Sequence, residues 1–434
     1  MIAKPSLGRI LALACALVAS PAAASAPVGT AVTQVFGDGQ KLVAIAIDYG
    51  RPIRSARLSA STYRVDGRTI LSAFAANAPN PDSRAAEGRY VIITLSPDDK
   101  DATLLERGSP PPGGGPPGGG GSGPPAHLPA PKFKPAVATV HQTAPILGSD
   151  GHTVPSFESV TTSRVRNLIV DDFRQLTFRD PRTGDTLKYN LFIPKEYRTG
   201  RSLPLVLFMH DLGSSSTDAT TTLRQGLGAI AWASPRDQAR HPSFVLAPEY
   251  PSMVVNDQSQ TTSMFDTTVD LVNKLAADYH LDRSRLYTTG QSGGAMMSIA
   301  MNIRHPNLFA ASYIVAGQWD PAKVGPLAKD KLWIMVSQGD LKAFPGENAI
   351  TELLRRDGAR VATAVWDGRW KQDQFARAFA QLDAEHAPIN YVALRKGTVV
   401  PPEQPDDGGA NHVNTWRIAY TIPEIRDWLF RQHQ

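Results

Sequence analysis

From about residue 163 to the C-terminus, short apolar runs alternate with longer stretches in which apolar residues return every three or four positions. Leu187 to Ile193, Leu203 to Met209, Phe244 to Ala247, Arg285 to Thr289, Ala310 to Ala316, Leu332 to Ser337, Val361 to Trp366 and Asn390 to Leu394 have the length and apolar content of strands. Phe265 to Tyr279 sets Val269, Val272, Leu275, Ala276 and Tyr279 on one helical face. Ala295 to Arg304, Asn348 to Arg356, Asp373 to His386 and Pro423 to Arg431 read as further helices. Strands alternating with helices in this way build a mostly parallel sheet with helices on both faces, so the pattern predicts a doubly wound α/β domain.

The first hundred residues follow a different rule. Lys41 to Ile47, Tyr63 to Ile70 with Asp66-Gly67 as its turn, and Tyr90 to Leu95 are strand-like, and no helical period intervenes. Several short strands within so little chain predict a small all-β sandwich. Gly108 to Pro125 is almost wholly Gly, Pro and Ser without a Gly-x-y period. Such a segment has nothing with which to build a core and acts as a linker. The expected division is therefore a sandwich at 27–107, a linker at 108–135 and the α/β domain at 136–434.

Residues 1–26 read as an export signal. Lys4 and Arg9 precede an apolar run from Ile10 to Ala19, and Ala22-Ala23-Ala24-Ser25-Ala26 supplies small residues for cleavage. The run is about half the roughly 20 residues that span a bilayer, which disfavours a membrane anchor. Cys15, the single cysteine, would leave with the signal, so the mature chain forms no disulfide. A lipid anchor on Cys15 calls for a large aliphatic residue three positions earlier, where Ala12 stands. The formal charge of +5 includes Lys4 and Arg9, and the remaining excess is too small and scattered to argue for nucleic acid.

The candidate chemistry centres on Gly290-Gln291-Ser292-Gly293-Gly294, between a predicted strand and a predicted helix. Small neighbours let the backbone turn sharply and lift a serine hydroxyl clear of the sheet, the nucleophile elbow of α/β-hydrolases. Serine needs a base, and His412 stands on a Gly- and Asn-containing segment expected to be a loop after the last strand. Asp340 follows the strand ending at Ser337 and is the candidate acid. The order Ser, Asp, His matches that fold. The fit at the acid is imperfect, because many hydrolases carry it three residues after the glycine of this turn, where Lys342 stands. Asp340 would then cap backbone amides, leaving Asp320 or Asp367 as the acid.

The amides of Gly293 and of Leu212, with Asp211 as the alternative to Leu212, are the expected oxyanion donors. Many relatives carry glycine where Asp211 stands. Trp319 and Trp416 are candidates for a substrate pocket, with core packing as the alternative, and Tyr250 is a weaker one. Met296, Met297 and Met301 read as core. No metal-ligand spacing and no phosphate loop is present in the sequence, so hydrolysis without a metal or cofactor is expected.

These motifs resemble a family of secreted bacterial α/β-hydrolases that join an N-terminal immunoglobulin-like domain to an esterase domain, related to polyhydroxybutyrate depolymerases, feruloyl esterases and predicted prolyl-oligopeptidase-like peptidases. The resemblance rests on Val65-Asp66-Gly67-Arg68-Thr69-Ile70, Gly88-Arg89-Tyr90-Val91-Ile92-Ile93, Tyr189-Asn190-Leu191-Phe192-Ile193-Pro194, Leu207-Phe208-Met209-His210-Asp211, Thr289-Gly290-Gln291-Ser292-Gly293-Gly294, Ser337-Gln338-Gly339-Asp340 and His412-Val413-Asn414-Thr415-Trp416. It implies an α/β-hydrolase fold after an Ig-like sandwich, nucleophile and base roles for Ser292 and His412, and Asp340 as acid. It also implies a small or polymeric ester as substrate and an Ig-like module that packs on the esterase or assists homo-oligomer assembly. A peptidase and a catalytically degenerate binding protein are the alternative readings. Mass spectrometry of the exported protein is expected to find a mature N-terminus near Ala24 to Ala26, and a chain still beginning at Met1 would refute the export reading.

Overall fold

The structure, a computed structural model, describes residues 1, 26–106, 130–198 and 200–434. The predicted export signal and most of the predicted linker lie outside the described residues.

The N-terminal module is all β. It comprises β1 (Val28–Phe36), β2 (Gly39–Arg54), β3 (Tyr63–Val65), β4 (Ile70–Ala76), β5 (Glu87–Leu95), the short pair β6 (Leu105–Glu106) with β7 (Lys132–Phe133), β8 (Thr139–Gln142), the short pair β9 (Ile146–Leu147) with β10 (Thr153–Val154), and β11 (Val160–Asn167). Seven strands are joined in the order β3-β8-β11-β1-β2-β5-β4. β11 changes partner along its length: Val160 and Thr161 pair with β8, and the residues after them run parallel to β1. Alternation with period two sorts the side chains. Ile45, Ile47, Val91, Ile93 and Leu95 enter one core with Tyr49, Tyr63 and Val140, while Ala44, Ala46 and Ile92 face the other way with Val32 and Phe74.

The expected boundaries at 107 and 136 do not follow these sheets, because β8 and β11 come from beyond the linker and complete the N-terminal module. Their sequences hide this. The exposed positions of β11 are Thr161, Ser163, Arg164 and Val165, so little alternation survives. The turn at Asp66-Gly67 is present, but β3 pairs with β8, and only the bridge from Val65 to Arg68 links its two sides.

The second domain holds a nine-stranded sheet: β12 (Arg174–Arg179), β13 (Thr186–Phe192), β14 (Leu205–Met209), β15 (Phe244–Glu249), β16 (Leu286–Gln291), β17 (Ala311–Val315), β18 (Leu332–Ser337), β19 (Val361–Trp366) and β20 (Ile389–Leu394). Their order is β12-β13-β15-β14-β16-β17-β18-β20-β19. The β12–β13 and β13–β15 pairs are antiparallel, and every pair beyond them is parallel. Parallel strands covered on both faces need continuous apolar sequence. All of β14, β16, β17, β18 and β20 is accordingly buried.

The helices are α1 (Thr221–Arg224), α2 (Leu227–Ala233), α3 (Pro235–Arg240), α4 (Ser263–Asp278), α5 (Gly293–Arg304), α6 (Ala343–Arg356), α7 (Gln372–Asp383), α8 (Gly408–Ala419) and α9 (Pro423–Phe430). α4 buries Phe265, Val269, Val272, Leu275 and Ala276, as its spacing predicts. α9 is held to α3 by Arg426, whose guanidinium donates to both carboxylate oxygens of Asp237, a pair almost wholly removed from water. Each large side chain of the core, such as Leu207 or Leu332, stabilises the fold by about 2 kcal/mol. Among the described residues no helix is long and apolar enough to cross a membrane.

The two domains meet at α1 and α8. The turn between β1 and β2 lies so close to α8 that a Cβ on Gly37 would stand 2.9 Å from the carbonyl oxygen of Arg417. Asp38 faces the Arg417 guanidinium at 3.5 Å. Arg224 donates to the Gln40 side chain at 2.6 Å and covers the ring of Phe133 at 3.7 Å.

The strand-to-helix turn after β16 depends on close backbone approach. A Cβ on Gly294 would lie 2.0 Å from the carbonyl oxygen of Met209 in β14. Gly294→Ala is expected to destabilise by about 2 kcal/mol or more despite alanine's better helix propensity. A lower urea midpoint at unchanged m-value is the signature.

Candidate active site

Ser292 joins β16 to α5 with φ +51° and ψ −117°, a strained conformation for a residue with a side chain. Two anchors hold it there. Its N–H donates to the carbonyl of Val315 at the end of β17 (2.9 Å), and its carbonyl accepts from Met296 within the first turn of α5 (2.9 Å). Gly290 and Gly294 nearly touch, since a Cβ on Gly290 would lie 2.3 Å from the carbonyl carbon of Gly294. The strain lifts the hydroxyl out of the sheet, and Ser292 remains partly open to solvent.

His412 meets Ser292 from α8. Its Nε2 lies 2.8 Å from Ser292 Oγ, and its Nδ1 lies 2.5 Å from Asp340 Oδ2. With Nδ1–H donating to the carboxylate, Nε2 is left to accept the serine proton. The segment is helical where a loop was expected. Asp407 caps it by accepting from the Ala410 N–H at 2.7 Å. Asn411 and Asn414 return side-chain bonds to carbonyls four residues back. Gly408, Gly409 and the asparagines are weak helix formers, so packing against β18 outweighs propensity here. Asn411 Oδ1 accepts from the Ser337 hydroxyl at 2.8 Å, and Thr415 Oγ1 accepts from the Ser337 N–H at 3.2 Å. The helix of His412 is thereby tied to the strand that leads to Asp340.

Asp340 both faces His412 and caps backbone amides, two contacts that the sequence set as alternatives. Oδ1 accepts from the N–H groups of Lys342 (3.0 Å) and Ala343 (2.9 Å) at the start of α6, while Oδ2 serves His412. Burial pushes its carboxyl up, yet the hydrogen bond and charge of His412 with the two backbone donors outweigh burial and hold it below the usual carboxylate range. Asp320 instead caps a turn through the Ala322 N–H and pairs with Lys323, and Asp367 accepts from the Arg369 N–H. Lys342 pairs with Asp257.

Leu212 and Gly293 are each the first residue of a helical turn, so neither N–H has an acceptor within its own helix. They adjoin: a Cβ on Gly293 would lie 2.4 Å from the Leu212 side chain. Asp211, read in the sequence as a departure from glycine and as the alternative amide donor, braces this loop with its side chain. Its Oδ2 accepts from Ser214 Oγ (2.8 Å) and from the amide of Gln291 (3.0 Å), the residue before the nucleophile. His210 donates from Nδ1 to the Asp211 carbonyl and accepts at Nε2 from the Tyr250 N–H. It approaches Glu249 to 3.5 Å, and burial disfavours the charged form of each, pushing the imidazole down and the carboxyl well up.

The two tryptophans belong to the core. Trp416 is 2% exposed and sets its ring edgewise to His412, centroids 5.1 Å apart, so it supports the base from behind. Trp319 is 7% exposed, in the turn after β17. Tyr250 is buried against Thr268, and Met296, Met297 and Met301 are buried as expected. Glu347 of α6 drew no notice in the sequence, since it looks like one more helix carboxylate. It is fully buried, accepts from the Gly317 N–H at 3.0 Å, and is pushed well above the usual range by burial.

Comparison with known proteins agrees with this fold. Residues 29–155 match the model of an esterase Ig-like N-terminal domain, and residues 255–331 match the prolyl oligopeptidase family. A solved structure described as a thermostable esterase superposes with TM-score 0.76 at 26% identity, covering 94% of this chain and all of that one. Acetylxylan esterase A of Emericella nidulans is 42% identical over 52 residues, a match spanning 12% of this chain and 17% of that relative's length. Fold and matches together define the class: an α/β-hydrolase fold. In particular, that fold is preceded here by a β-rich region similar to an esterase Ig-like N-terminal domain.

Because the folded pKa of Asp340 lies below its unfolded value, the unfolded chain takes up that proton first as pH falls. The stabilisation is present above the unfolded value near 3.8 and is lost as pH drops through the lower folded value. In urea titrations, the stability of the native protein relative to Asp340→Asn is therefore expected to stay level above about pH 5 and to shrink steadily below about pH 4.

Proposed function

We propose that the protein is an exported serine esterase that cleaves carboxylic esters through an acyl-enzyme on Ser292. The observation that carries this reading is the continuous line Asp340 Oδ2, His412 Nδ1, His412 Nε2, Ser292 Oγ, with both gaps at hydrogen-bond length. His412 takes the Ser292 proton as Oγ attacks the ester carbonyl. The N–H groups of Leu212 and Gly293 receive the oxyanion, and the carboxylate of Asp340 offsets the imidazolium. Collapse of the tetrahedral intermediate breaks the bond to the alkoxy oxygen, which leaves as alcohol with the proton from His412. Water, activated by the same imidazole, then releases the acid and restores Ser292. Similarity to a thermostable esterase over most of the chain favours an ester as substrate. Lys4, Arg9 and the apolar run after them support export.

A second reading, a serine peptidase, is favoured by the match of residues 255–331 to the prolyl oligopeptidase family. It uses the same apparatus on an amide. Assay of one preparation on p-nitrophenyl esters, feruloyl esters and chromogenic peptides separates the two.

Ser292→Ala is expected to lower kcat on p-nitrophenyl esters by about 10⁶-fold and to abolish labelling by a fluorophosphonate probe. Asp340→Asn is expected to cost about 10⁴-fold, because an amide does not hold the reactive tautomer of His412. Full activity in the first variant refutes the mechanism, and a loss under about tenfold in the second removes Asp340 from it.

A further inference from the structure

We propose that Asp257 is a specificity-determining residue, which limits the length of the acyl chain by latching the loop of residues 251–262 beside the nucleophile. The inference rests on the esterase reading above. The loop leaves the C-terminal end of β15 and leads into α4. Its tip is preformed: Asn256 Oδ1 accepts from the N–H groups of Gln258 and Gln260 (both 3.1 Å), and its amide donates to Gln260 Oε1 at 2.9 Å. The tip docks on two distant turns. Asp257 Oδ2 pairs with Lys342 Nζ at 2.5 Å, and Asp257 Oδ1 accepts from Gln318 Nε2 at 3.2 Å. The neighbouring Ser259 Oγ accepts from the Asp320 N–H at 2.9 Å.

The sheet order tells what this loop passes. β14 and β16 lie between β15, where the loop begins, and β17 and β18, whose following turns it reaches. Those two strands end in the oxyanion loop and in Ser292. The tip of the loop thus docks two residues from Asp340, through Lys342, and three residues from Val315, whose carbonyl holds the Ser292 N–H, through Gln318.

The chemistry of attack assigns the part of the substrate it meets. Of the four substituents on the tetrahedral carbon, one is Ser292 Oγ. The oxyanion points to the amides of Leu212 and Gly293, and the leaving oxygen points to His412 Nε2. In this proposal the acyl chain takes the direction that remains, on the side of the turn after β17, whose strand holds the Ser292 N–H, and of the loop docked on it. That turn is itself fixed from below, since Glu347 holds the Gly317 N–H and a Cβ on Gly346 would stand 2.7 Å from Gln318 Cβ. With a rigid floor and a latched wall, short acyl groups fit and long ones meet the loop. Asp257 and Lys342 are each more than a third exposed, so salt weakens the latch.

The test compares the full-length mature protein and its Asp257→Ala variant on p-nitrophenyl acetate, butyrate and octanoate, at about 0.05 and 1 M NaCl. The native enzyme is expected to favour acetate over octanoate in kcat/KM by about tenfold or more, and Asp257→Ala to shift that ratio at least tenfold toward octanoate. High salt is expected to move the native enzyme in the same direction and to leave the variant where it is. An active variant whose octanoate-to-acetate ratio stays within about twofold of the native one overturns the proposal, as does a native preference for octanoate. Absence of turnover on every ester together with absence of fluorophosphonate labelling in the native protein instead overturns the esterase reading beneath it.

Discussion

The imidazole of His412, held between the carboxylate of Asp340 and the hydroxyl of Ser292, is the contact on which the rest of the second domain converges. The three side chains come from three places on the sheet's C-terminal edge: the end of β16, the turn after β18 and the second turn of α8. β16 and β18 are separated by one strand, and α8 closes the gap by bonding Ser337 through Asn411 and Thr415. Gly339 is needed at this junction, because a Cβ there would lie 2.1 Å from Asn411 Oδ1. A base set on a helix and bonded to the acid's own strand does not drift relative to its partner, which is what proton transfer over hydrogen-bond distance requires.

Charge around this line is kept sparse and fixed. His210 and Glu249 on the side of Leu212, and Glu347 on the other, are buried deeply enough that desolvation works against the charged form of each. Each accepts from a backbone group: the Tyr250 N–H, the Thr222 N–H in α1 and the Gly317 N–H. Asp211 adds a direct tie between the oxyanion loop and the residue before the nucleophile. These are positioning contacts, and in a weakly polar interior they hold their geometry more firmly than they would in water.

Several features were legible because local rules decide them. β14 and β18 must be strands buried on both faces, since five or six consecutive apolar residues have no other place in an α/β sheet. The elbow was legible from its glycines, and the order of Ser292, Asp340 and His412 from the connectivity that such a sheet imposes. Other features depend on contacts between residues far apart in sequence. β8 and β11 carry Thr, Ser and Arg where a core strand carries Val or Ile, and only pairing with β3 and β1 makes them part of the N-terminal module. The segment around His412 has the composition of a loop and is a helix because Asp407 caps it and its buried side chains are satisfied by β18.

By itself, then, the sequence determined the class of fold, a candidate nucleophile and the residues that compete to assist it, because glycine placement, apolar runs and chain order are properties of neighbours along the chain. The tertiary structure decided which of those residues meet. It set Asp340 against His412 while leaving Asp320 and Asp367 in local turns, buried Trp416 edgewise behind His412, and made Asp211 a brace between two loops. The reason is physical: spacing along a chain constrains direction at an element's end only loosely, whereas burial lets a polar side chain persist only where a partner from another element completes its hydrogen bonds.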